Sequence, residues 1–179
     1  MAMIGDPARF AIEYQLDEHH GGPWLFGKVC FWIEGQRVGD FDLGTSLRDF
    51  LFQIEQGRRD HGRRGSERFE SMPAKDIVSM LDGGLFGTGI ETSETSEQLA
   101  IDEQWARHNI APAVDVFDHW RIYLVESNVA GRVLYGRTEL GALVHETQLV
   151  PGECDGVLEL ACQEIGRLYE ADKDASPEW

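Results

Sequence analysis

The strongest constraint on the fold lies between Arg9 and Leu43. From Arg9 to Leu16 the side chains alternate, with Phe10, Ile12, Tyr14 and Leu16 on one side and Arg9, Glu13 and Gln15 among those on the other. A strand points successive side chains to opposite faces, so a period of two predicts a strand with one buried face. Asp17 to Pro23 reads as a polar, glycine-bearing turn, and Trp24 to Ile33 is nearly continuous aromatic and aliphatic sequence, which suits a central strand. Glu34-Gly35-Gln36 supplies a tight turn, and Arg37 to Leu43 returns as a shorter strand broken by Gly39. These segments predict a three-stranded antiparallel meander.

Helical spacing follows. Leu47, Phe50, Leu51 and Ile54 recur at intervals of three and four behind Thr45 or Ser46, either of which can cap, so a helix to about Gln56 should lie on the meander. Pro73 suits the first turn of a second helix, Ala74 to about Leu81, which Gly83 and Gly84 would end. Thr95 and Gln98 resemble a capping box for a third helix to about His108, with Leu99, Ile101 and Trp105 as candidate buried positions. Val114 to Phe117, Trp120 to Glu126, Arg132 to Arg137 and Leu143 to Val150 read as strands, the second and third joined as a hairpin. In the last helix Cys154, Leu158, Ala161, Ile165 and Leu168 form one apolar stripe. The expected architecture is one α+β domain over residues 1–171, a mostly antiparallel sheet of about five to six strands with three to four helices packed against it. A charged tail, residues 172–179, should fray.

Apolar residues make up 42% of 179 residues, enough for a core without metal or disulfide support. Cys30, Cys154 and Cys162 are an odd, sparse set that fits a reducing compartment. The N-terminus has no basic and apolar leader, and no run approaches the length of a membrane span, so a cytoplasmic protein is expected. Formal charge is −16. That field disfavours nucleic acid and anionic membrane as direct partners and attracts basic proteins.

Catalytic and metal patterns are weak. Asp17-Glu18-His19-His20 offers four ligand-type residues in a row, but neighbours on an extended chain diverge and zinc usually gathers ligands from separated segments. Gly83, Gly84, Gly87 and Gly89 follow a helix rather than a strand and lack the Gly-Lys-Ser/Thr of a phosphate loop. No cofactor and no metal site is expected. One enzymatic alternative stays open: a small-molecule or hydrolytic site assembled from distant residues such as Cys30, Asp118 and His119. A nucleic-acid mimic or scaffold is a third reading.

Charge placement is more informative. Glu91, Glu94, Glu97, Asp102 and Glu103 occur without Lys or Arg among them, and the chain from Glu153 onward carries eight acids against Arg167 and Lys173. These stretches are the candidate docking faces for a basic partner, with any exposed tryptophan beside them, such as Trp105. Between Arg58 and Arg68 runs the one basic segment, with five Arg; it reads as an exposed loop or a local counter-charge to the acidic helices.

Three segments carry a family resemblance: Met3-Ile4-Gly5-Asp6-Pro7-Ala8-Arg9-Phe10-Ala11-Ile12, then Gly27-Lys28-Val29-Cys30-Phe31-Trp32-Ile33-Glu34-Gly35, then Leu43-Gly44-Thr45-Ser46-Leu47. A strand opened by Gly-Asp-Pro-x-x-Phe-Ala-Ile, a second strand ending in an aromatic, an aliphatic and Gly, and a following helix resemble the Imm42 family of bacterial immunity proteins. The resemblance covers roughly the first third of the chain. It implies a β-rich domain with accompanying helices and a non-catalytic role: neutralising, by direct binding, a toxin domain of a polymorphic or contact-dependent system. A basic, nuclease-like toxin would suit the charge.

Overall fold

The computed structural model describes residues 1–88, 94–139 and 141–175. The alternating segment forms β2 (Phe10–Leu16) and the apolar run forms β3 (Phe26–Ile33), paired antiparallel from Phe10 opposite Ile33 to Leu16 opposite Gly27. β4 (Gln36–Val38) returns from a two-residue turn in which Glu34 and Gly35 have φ of 55° and 76°. Two positive φ values give the hairpin turn whose twist matches its strands, and Gly35 occupies the second position without a Cβ penalty.

Two further strands join this sheet. β1 (Ala2–Asp6) pairs with β2 along the edge and buries only Ile4, so it carries no period-two signal. Gly5-Asp6-Pro7 therefore leads out of one strand into a turn instead of opening the next strand. The Asp6 carboxylate accepts from Ala8 N–H and the Asp6 carbonyl from Arg9 N–H, both at 2.9 Å. β5 (Thr45–Ser46) is a two-residue strand against Phe26–Gly27.

α1 (Leu47–Arg58) begins where the Ser46 hydroxyl accepts from the Asp49 N–H at 3.2 Å, and it buries Leu47, Phe50, Leu51 and Ile54. α5 (Glu153–Ala175) packs beside it, and both helices cover the face of β2 and β3 that carries Phe10, Ile12 and Tyr14. On the opposite face Glu13 is nonetheless buried: it accepts from Trp32 Nε1 at 2.8 Å and Arg37 Nη2 at 3.2 Å.

β6 (Trp120–Glu126), β7 (Gly131–Arg137) and β8 (His145–Leu149) form a second antiparallel sheet in chain order. Ile122, Leu124, Val133 and Tyr135 join the main core, whereas Tyr123, Val125 and Leu134 enter a smaller cluster with Phe69, Leu81 and Trp105. Burial of both faces explains the nearly unbroken apolar sequence of β6. The smaller cluster is roofed by α2 (Glu67–Glu70), α3 (Ala74–Phe86) and α4 (Glu94–Asp102). The fold is α+β, with sheets of five and three strands in place of one sheet of about five to six.

Several segments differ from expectation. Val114 to Phe117 is no strand; Asp115–Phe117 is a 3-10 turn that drops Val116 and Phe117 into the core, where Phe117 meets Phe31 at 4.8 Å between ring centroids. α3 passes through Gly83 and Gly84 and ends at Gly87, φ 65°. A Cβ on Gly84 would stand 2.8 Å from Ala100 Cβ and from the Trp105 ring, so this glycine permits close helix packing and does not terminate the helix. The third helix stops at Asp102, and Trp105–His108 form a separate 3-10 turn. α2 lies within the expected loop's end, and α5 continues to Ala175, past the expected start of fraying. Among the described residues, no helix is long and apolar enough to cross a membrane.

Candidate functional site

The first acidic stretch is only partly available for docking. Glu91 lies outside the described residues, and Glu94 opens α4. Glu97 and Asp102 are exposed, with Asp102 accepting from Gln98 at 2.9 Å. Glu103 is engaged internally: Arg68 Nη2 donates to it at 2.6 Å and Trp105 Nε1 at 2.9 Å, and the Arg68 guanidinium holds its pKa below the usual value. Trp105 is not an exposed docking tryptophan. It is 1% exposed, packed on Phe69 at 5.6 Å and seated against Gly84. Its indole N–H is satisfied by Glu103 two residues away, and its ring fills a hole made by a glycine of another helix, which its own sequence neighbourhood does not reveal.

The second acidic stretch is tied down more completely. Glu153 accepts two hydrogen bonds from Arg9, at 2.7 and 2.6 Å. Glu159 pairs with Arg58, Glu164 accepts from the Tyr14 hydroxyl at 3.1 Å, and Asp172 pairs with His20 at 2.9 Å. Asp155 meets Arg64, Nη1 to Oδ1 2.6 Å, and both side chains are buried. These five carboxylates bind α5 to the rest of the molecule, whereas Glu170 pairs with Lys173 on the helix itself and Glu178 lies outside the described residues.

The basic run is thus a counter-charge: Arg58, Arg64 and Arg68 reach Glu159, Asp155 and Glu103. It is not uniformly exposed. Arg64 is 0% exposed and also donates to the carbonyls of Arg107, at 2.9 Å, and Gly57, at 2.5 Å. Three donors of the guanidinium fork are satisfied by fixed acceptors, the condition under which a buried cation is tolerated.

His108 completes this region. Its Nδ1–H donates to the Leu124 carbonyl at 2.9 Å, and Nε2 is buried without a hydrogen-bond partner. Burial, helped by the nearby Arg107 and Arg64 charges, pushes its pKa down from 6.5 to about 4. Between these values the unfolded chain binds a proton that the folded chain refuses, so stability must fall as pH drops through that window. Denaturant midpoints of the wild type and of His108→Gln should diverge from each other below pH 6.5, the wild type losing up to ~1.4 kcal/mol per pH unit more than the variant. Parallel pH profiles would contradict this. Glu103 and Glu153, whose pKa values are lowered, add their own loss only below 4.5.

The structure does not bring Cys30, Asp118 and His119 together. The Cys30 thiol lies buried 3.6 Å from a Glu13 oxygen, and burial together with that carboxylate pushes its pKa up to about 12, leaving it protonated and a poor nucleophile. Asp118 and His119 are exposed where β6 begins, and no side-chain hydrogen bond or ion pair among the described residues joins them to Cys30. Cys154 and Cys162 are buried in the α5 stripe with raised pKa values.

In each of these places a buried polar group ties one element of the fold to another. CdiI from Burkholderia dolosa has a similar crystal structure, with a TM-score of 0.69 at 19% identity, covering 91% of this chain and 99% of that one. At that identity the likeness speaks for the fold. No curated protein matches. The model of the family described as Immunity protein 42 matches residues 1–164, well beyond the N-terminal segments that carry the resemblance. With nearly the whole folded chain matched, from the edge strand β1 into the middle of α5, this protein belongs to the Immunity protein 42 family.

Proposed function

We propose that this protein neutralises a cognate bacterial toxin domain by binding it directly, without catalysis, and that its acidic surface draws in a basic toxin. Membership of an immunity-protein family carries the reading. The charge of −16 adds the electrostatic part, because a net field of one sign accelerates encounter with a partner of the other. Glu97 and Asp102, exposed on and at the end of α4, contribute to that field from outside the tied-down carboxylates. Their role is long-range attraction, which needs no aromatic anchor beside them.

Co-expression with its cognate toxin domain should restore growth, and the purified pair should form a tight complex. Association should slow ~10-fold or more between about 0.02 and 0.5 M salt, while dissociation changes little. Glu97→Gln with Asp102→Asn should slow association about two- to threefold and leave dissociation unchanged. Lack of both complex and protection would sink the proposal.

A further inference from the structure

One surface outside the acidic stretches is built like an anchor site. A cleft of about 570 Å³ opens between the start of β3 and the segment before the Asp115–Phe117 turn, and its walls include Phe26, Leu43, Asp17, Asp49 and Asp115. Phe26 is 45% exposed and Leu43 59%, and Trp24, 48% exposed, lies parallel to Phe26 with 6.3 Å between ring centroids and 4° between planes. Exposed apolar side chains gathered beside one cleft, with polar groups around them, have the make-up of an interaction site.

The backbone holds the two rings out deliberately. Gly22–Trp24 is a 3-10 turn, and Leu25 after it adopts φ 51°, a left-handed conformation costly for a branched side chain. That conformation sends Leu25 wholly into the core and leaves Trp24 and Phe26 facing solvent on either side of it. It is locked by the Leu25 N–H on the Gly22 carbonyl at 3.0 Å, the Leu47 N–H on the Leu25 carbonyl at 3.0 Å and the Ser46 hydroxyl on the Trp24 carbonyl at 2.9 Å. The Arg48 guanidinium covers the Trp24 ring at 3.7 Å and is fixed in turn by Asp49 at 2.8 Å. Trp24 therefore has little freedom left to lose on binding, the condition for a strong anchor.

The charge of the cleft chooses its occupant. Asp17, Asp49 and Asp115 line it and no Lys or Arg does. Asp17 and Asp115 have no side-chain hydrogen bond or ion pair among the described residues, in contrast to the α5 carboxylates. We propose that the Trp24–Phe26 shelf and this cleft are the contact face for the toxin domain, and that they receive a toxin surface presenting lysine or arginine beside apolar side chains. The cation meets Asp17 and Asp115, and the apolar part covers Phe26, Leu43 and the exposed part of Trp24. The inference rests on the proposed immunity function and adds its location: acids elsewhere attract, this face holds.

Binding kinetics of the full chain with its toxin domain test it. Trp24→Ala should raise the dissociation rate at least ~10-fold with little change in association. Leu43→Lys, at an exposed position where folding is not at stake, should weaken binding comparably by placing a like charge in the cleft. Asp17→Asn with Asp115→Asn should weaken binding severalfold and flatten its salt dependence. Near-wild-type dissociation for both folded Trp24→Ala and Leu43→Lys overturns this contact face while a binding wild type leaves the immunity function standing. A wild type that neither binds nor protects overturns both. Binding of a small molecule in the cleft that leaves the toxin complex unaffected also counts against the assignment.

Discussion

Arg64→Ala is expected to destabilise the protein by about 3–5 kcal/mol, because it leaves the buried Asp155 carboxylate without its cation. The loss goes beyond one ion pair. Arg64 also satisfies the carbonyls of Gly57 at the end of α1 and Arg107 in the turn after α4, so one side chain joins α1, α5 and the 3-10 turn that carries His108. Asp155→Ala should cost a similar amount by stranding a buried guanidinium. The other Asp155 oxygen already lacks a hydrogen-bond partner, with only the exposed His61 ring 3.0 Å away. Urea denaturation of both single variants and the double variant checks this. The double variant should lose clearly less than the sum of the two, with a coupling of ~1 kcal/mol or more. Single losses under about 1 kcal/mol would show that water reaches the pair and that the run from Arg58 to Arg68 is held by other means.

Trp105→Ala should cost about 3–5 kcal/mol of stability and should leave the toxin affinity of the folded fraction unchanged. The indole fills the space above Gly84 and beside Phe69 and Ala100, and deleting it empties the centre of the smaller core. The surrounding helices can close over the gap only in part, because α3 and α4 are already in close packing at Gly84 and Ala100. The measurement pairs a denaturation curve with toxin binding at a temperature where the variant is folded. A large loss of affinity in a variant of normal stability would restore Trp105 to the docking face and contradict its burial. Trp24→Ala should have the opposite signature, with faster dissociation and stability nearly kept. The pair of variants therefore tells a core tryptophan from one on the proposed contact face.

Which of these features could be read without coordinates depends on the range of the interaction that produces them. The alternation in β2, the Glu34-Gly35 turn, the α1 stripe behind Ser46 and the α5 stripe all arise from residues within a few positions of one another, and each stands where the pattern places it. Edge strand β1 escaped because an edge buries one side chain in five positions and leaves no period to detect. Gly83 and Gly84 carry a signal that is real and ambiguous: a small residue ends a helix or admits a neighbour, and the neighbour, Trp105, lies in another element. The Trp24–Phe26 shelf was hidden for a related reason. In an unbroken apolar run every aromatic reads as core, and only the left-handed turn at Leu25 reverses which side chains face inward.

Local periodicity and composition suffice for the class of the fold, the N-terminal meander, the two helices that cover it and the net charge. Which charges pair with which, among the described residues, follows from contacts distant in the chain. Arg9 finds Glu153 across 144 positions, Tyr14 finds Glu164 across 150, and Arg64 finds Asp155 across 91, and those pairings fasten α5 to the rest of the molecule. An ion pair is set by separation in space and by the dielectric around it, and the order of residues along the chain encodes neither.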